Sequence, residues 1–263
     1  TALSAAGTTL YIYGGGWDWQ DVGSSIQTRT IGVSPDWIRF FREHDADFTY
    51  KEKDGKEENA DPANSYYPYG AYNEYYYAGL DCSGYVAWVL YNTLHDVSGE
   101  PGYVSGAVHI AKNCADMGLG EWSKEIPEKD GAYQLCPGDI VSIGGHVWIS
   151  LGTCSDGSIV VLHSTPAYSR TGQPGGGVEL SAIGESEECE AYQLADQYMA
   201  EYYPEWYERY LIKLCDPADY FVFEKDDAGR FTWSEAADAE VTDPDGLKGM
   251  TPDEALAFLF GQD

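Results

Sequence analysis

Basic residues are scarce in this chain: fifteen Lys and Arg stand against forty-four Asp and Glu, a formal net charge of −29 over 263 residues. So acidic a surface repels polyanions and offers no basic stripe for phosphate contacts, which argues against nucleic acid as a partner. It would draw in ammonium-bearing substrates, but keeping the protein in solution is the better explanation of such a charge. No run of eighteen uninterrupted apolar residues occurs, so no membrane span is expected. Cysteines number six, too sparse for a disulfide scaffold, and none stands in a CxxC spacing, which argues against a zinc knuckle. The opening at Thr1 lacks an initiator Met and the basic-then-apolar layout of a signal peptide, as expected of a mature or trimmed chain.

What is present suits a globular protein, with 43% apolar and 14% aromatic residues. Thr9–Tyr13 reads as a short strand breaking at Gly14-Gly15-Gly16. Ser34-Pro35-Asp36 reads as a cap opening a helix to about His44. An Asp54-Gly55 turn follows Phe48-Thr49-Tyr50, as in a hairpin or mobile loop, and seven tyrosines lie in the twelve residues 66–77, as in an aromatic loop that either lines a cleft or packs on itself. Helices are expected from Cys82 to about Tyr91, from Ser105 to Met117, around Cys189–Ala200, and after a Thr251-Pro252-Asp253-Glu254 capping box. Strands are expected at Ile140–Ser142, His146–Leu151, Ile159–His163 and Tyr220–Phe223. Alternation puts Val147, Ile149 and Leu151 on the face of the second strand expected to meet the core, opposite His146, Trp148 and Ser150. Gly172–Gly177 lacks the Lys-Ser/Thr ending of a phosphate loop and reads as a flexible loop.

The chemistry-bearing residues are Cys82, His146 and His163. A cysteine in a helix's first turn gains from unpaired backbone donors and the positive end of the dipole, which favours the nucleophilic thiolate. An imidazole can take and return the proton, and a third polar group fixes its tautomer. Taken alone, the same residues would serve as buried core groups or as three ligands of a metal.

Asp81-Cys82-Ser83-Gly84-Tyr85-Val86, then Pro137-Gly138-Asp139-Ile140-Val141, His146-Val147-Trp148-Ile149-Ser150-Leu151-Gly152 and Val161-Leu162-His163-Ser164 resemble, in order, the motifs of the NlpC-type cell-wall cysteine peptidases. Tyr11-Ile12-Tyr13-Gly14-Gly15 resembles that family's aromatic-glycine segment, though here about seventy residues separate it from the cysteine. The resemblance implies one α+β, papain-like domain over residues 1–263, with a nucleophile helix packed on a central antiparallel sheet. It also implies an insertion at about 16–79 and an extension at about 170–263. It implies a secreted or wall-associated bacterial enzyme hydrolysing the bond between γ-D-glutamate and a diamino acid in peptidoglycan stems, with no metal or organic cofactor. Cys82 would be the nucleophile, His146 the acid/base and His163 the orienting group. Tyr11, Asp81 and Ser83 would hold the stem's free amine and carboxylate, and Trp148 would narrow the floor beside His146. Asp81 as a plain helix cap and Ser83 as a packed first-turn residue remain alternatives. So do a related cysteine–histidine amidohydrolase and a catalytically silent wall-binding protein.

Overall fold

The computed structural model describes residues 1–16, 27–43, 78–172, 174–236 and 239–261; the expected Phe48–Tyr50 hairpin and the 66–77 aromatic loop lie outside them. Among the described residues, helices α1 (Pro35–Glu43), α2 (Cys82–Leu94), α3 (Ile110–Asp116), α4 (Glu190–Tyr202), α5 (Pro204–Tyr207), α6 (Pro217–Tyr220) and α7 (Pro252–Leu259) combine with nine strands. These are β1 (Gly120–Ser123), β2 (Glu128–Lys129), β3 (Ala132–Tyr133), β4 (Pro137–Ile143), β5 (His146–Thr153), β6 (Ile159–Tyr168), β7 (Pro174–Ile183), β8 (Leu214–Cys215) and β9 (Gly229–Trp233). Seven form one sheet in the order β1-β9-β4-β5-β6-β7-β8, and β2 pairs with β3. The expected α+β class holds. The sheet is not wholly antiparallel, since β8 joins β7 in parallel, Ala182 beside Leu214.

By contacts the chain divides into two compact units that interleave in sequence. The first comprises Thr1–Ser105, His163–Glu179 and Tyr203–Leu211; the second comprises Gly106–Leu162, Leu180–Tyr202 and Ile212–Asp263.

In the first unit, the apolar spacing of α1 buries Trp37, Phe40 and Phe41, and α2 is buried along most of its length. The Trp37 and Trp88 rings meet edge to face at 5.7 Å, and Phe41 meets Trp206 at 5.3 Å. The Trp88 indole N–H donates to the Gly32 carbonyl at 3.1 Å, satisfying a donor that burial would otherwise orphan.

In the second unit, both faces of β5 are buried, contrary to the one-sided core expected from alternation. Ser142 is opposite Val147 across β4 and β5, and its hydroxyl accepts the Ala111 N–H at 3.0 Å, so α3 covers that face. On the other face, Trp148 joins Val141, Ile143, Ile159, Val161, Ile183 and Cys215 in an apolar cluster completed by Tyr220 and Phe221. A strand buried on both faces loses the polar-out alternation that would identify its core face.

Two further expectations are corrected. The Gly172–Gly177 segment is largely strand: a Cβ at Gly176 would lie 2.4 Å from Thr165 O and Ala167 N, so glycine is what lets β7 close against β6. Residues 220–223 are not a strand. The Asp216 side chain accepts the Ala218 N–H at 2.8 Å and Pro217 occupies the first helical position, so this segment begins with the short helix α6. The Thr251–Glu254 capping box forms as expected, opening α7.

Candidate active site

Cys82 is the first residue of α2 and is 6% exposed. Asp81 sets the start of the helix. Its extended backbone (φ −80°, ψ −176°) lets its carboxylate accept the Gly84 N–H at 2.7 Å and the Ser83 hydroxyl at 2.8 Å. Burial pushes the Asp81 carboxyl up to about 6, against hydrogen bonds from Gly84, Ser83 and Gly14 that favour the charged form. The cap and first-turn roles left open for Asp81 and Ser83 are therefore the ones their hydrogen bonds express.

Four segments of the first unit converge just ahead of Cys82. Tyr11 bridges Leu80 in parallel, while its N–H donates to the Gly176 carbonyl at 2.8 Å. The Asp81 N–H donates to the Gly15 carbonyl at 3.1 Å. From β6, the Ser164 hydroxyl donates to the Leu80 carbonyl at 2.7 Å. Tyr11, Asp81, Ser83 and the middle of β6, which carries His163, are thus gathered at the N-terminus of α2. His163 is fully buried, and Tyr11 is 5% exposed.

His146 and Trp148 belong to the second unit. His146 opens β5, is half-buried as a residue, and meets the Tyr220 ring edge to face at 5.4 Å. Burial pushes its imidazole down to about 3, and the nearby Lys213 charge adds to the effect. At neutral pH the His146 imidazole is therefore uncharged.

Trp148, expected to narrow the floor beside His146, lies inside the apolar core instead. It is fully buried, 6.2 Å from Tyr220 and 5.9 Å from Phe221 by ring centroids, and has no surface to offer a ligand. Its indole N–H has no hydrogen-bond partner among the described residues.

Sequence reasoning passed over Glu179 and Tyr220. Glu179 is fully buried and accepts the Trp206 indole N–H at 3.0 Å. An acid at the midpoint of the apolar run Val178–Leu180 was its only signal. Tyr220, against His146, comes from the segment misread as a strand. Comparison with protein-family models, curated proteins and solved structures finds no match to this chain.

Proposed function

We propose that the protein is a papain-like cysteine peptidase of the bacterial cell wall that hydrolyses the γ-D-glutamyl to diamino acid bond of peptidoglycan stems. The observation that carries this reading is Cys82 at the first position of α2, behind an Asp81 cap and beside the converging Tyr11 and β6 segments. A thiol there reacts in the field of a helix N-terminus, with backbone donors at hand for a developing oxyanion.

In the roles that the resemblance assigns, the Cys82 sulfur attacks the γ-glutamyl carbonyl while the general base, the part given to His146, takes its proton. The tetrahedral oxyanion is held in part by the Cys82 backbone N–H. His146 returns the proton to the departing amine of the diamino acid, leaving a thioester. Water, deprotonated by His146, hydrolyses the thioester and restores the thiol. The resemblance to the NlpC-type motifs gives His163 the orienting role.

Mass spectrometry of purified muropeptides incubated with the wild type and with Cys82→Ala tests the reading. A mass loss equal to the diamino acid portion, seen only with the wild type, supports it. Products cut at another wall amide would assign the related amidohydrolase activity, and intact muropeptides with both proteins would leave a binding protein.

A further inference from the structure

We propose that Tyr220 is a positioning residue for His146, its ring setting the rotation of the imidazole from a segment that lies beyond every recognised motif. The proposal rests on the reading of His146 as the proton carrier.

The imidazole stands at the first residue of β5, and rotation about its ring-bearing bond is broad and weakly restrained, so the strand alone does not fix where the two nitrogens point. The Tyr220 ring supplies one restraint, lying at 76° to the imidazole with centroids 5.4 Å apart. Turning His146 by a quarter would replace this edge-to-face contact with overlap or a gap.

Tyr220 is itself held on both sides in the chain. Before it, β8 is laddered to β7 at Ala182–Leu214 and Ile183–Cys215, and Asp216 caps α6. After it, the Phe221 ring meets the Tyr133 ring at 4.2 Å, tilted by 34°, and lies edge to face against Trp148. Tyr220 is 8% exposed and belongs to the same apolar cluster as Trp148. A ring so anchored also keeps water from one side of the imidazole, in keeping with the neutral form that burial favours. The segment after β7 thereby acquires a function: it completes the seating of a residue presented by β5. Holding a proton carrier in the reacting geometry is a recognised source of rate, and its loss appears in kcat more than in KM.

The experiment compares Tyr220→Phe with Tyr220→Leu and Tyr220→Met. A nuclear Overhauser contact between the His146 ring protons and the Tyr220 ring is expected in the wild type. Tyr220→Phe should keep the His146 Hε1 resonance in place and retain kcat. Tyr220→Leu and Tyr220→Met should shift that resonance and lower kcat roughly tenfold with KM little changed. Cys82 alkylation by iodoacetamide should slow in the same two variants. Absence of the wild-type contact overturns the proposal, as does an unshifted His146 resonance with unchanged kcat in both aliphatic variants. Equal losses in Tyr220→Phe and Tyr220→Leu would also overturn it, by assigning the effect to the hydroxyl. If the wild type cuts no stem peptide, the peptidase reading fails separately, and the resonance and alkylation measurements still decide whether Tyr220 seats His146.

Discussion

The Gly15 carbonyl faces the bare Cα of Gly84, so closely that a Cβ at residue 84 would lie 2.1 Å from its oxygen. The same carbonyl accepts the Asp81 N–H, so the glycine-rich turn after Tyr13 holds the first turn of α2 from two sides. Gly84→Ala would gain up to about 1 kcal/mol in helix propensity. Forcing a methyl into backbone costs about 1–3 kcal/mol or more, so the clash wins. The expected result is a lower urea midpoint and, because the turn carries Cys82, a loss of turnover larger than the loss of stability explains.

Ser164→Ala removes the hydroxyl that ties β6 to Leu80. The Leu80 carbonyl also accepts the Ile12 N–H at 3.3 Å, so it would not be left bare, and the expected cost is about 1 kcal/mol. Equilibrium unfolding measures that cost. Because the bond lies between the cysteine's helix and the strand of His163, kcat should fall while the fold persists.

Two buried groups make stability depend on pH in opposite senses. The folded state holds the His146 pKa below its ordinary value of 6.5, at about 3. The unfolded chain therefore binds the extra proton as pH falls below 6.5, and this group's contribution is lost progressively toward pH 3. Asp81 is raised from 3.8 to about 6, so here the folded state binds the extra proton, and stability falls as pH rises from about 4 to about 6. Denaturant midpoints at intervals from pH 3.5 to 7 should show His146→Gln flattening the acid-side decline. Asp81→Asn should flatten the opposing slope, at the expense of an amide N–H set among the donors that now face a carboxylate.

How much of this was legible in the sequence depends on whether a signal was local. The caps of α1 and α7, the start of α2, and the strands β4 and β5 were readable because each is announced within a few residues, as Thr251 is by Glu254. Strands β1 and β9 were not, since Gly120–Ser123 and Gly229–Trp233 are strands only through pairing with each other and of β9 with β4. The buried Asp139 carries part of that pairing, accepting the Thr232 hydroxyl at 2.8 Å and lying 3.5 Å from Arg230, which no local pattern announces. Gly176 was misread for the converse reason: glycine signals a turn locally, and its actual cause is a neighbouring backbone. At the candidate site, Cys82 could be placed at a helix start from sequence, whereas Tyr220 was hidden in a run whose aromatic and branched residues suggested a strand.

Trp148 affords the sharpest test of a corrected expectation. A residue lining the substrate floor would change KM when altered, whereas a core residue would change stability. Trp148→Ala should cost about 3–5 kcal/mol through the cavity it opens among Val141, Val161, Tyr220 and Phe221. Trp148→Phe is more informative because two effects oppose. It removes a buried indole N–H that has no partner among the described residues, relieving a desolvation cost of about 1–3 kcal/mol. It also gives up ring volume in a filled core, a loss of similar size. Net stability should change by less than about 1 kcal/mol. KM for a stem peptide should stay where it is, since the fully buried indole has no surface for substrate to touch. A large rise in KM with unchanged stability would return Trp148 to the binding surface.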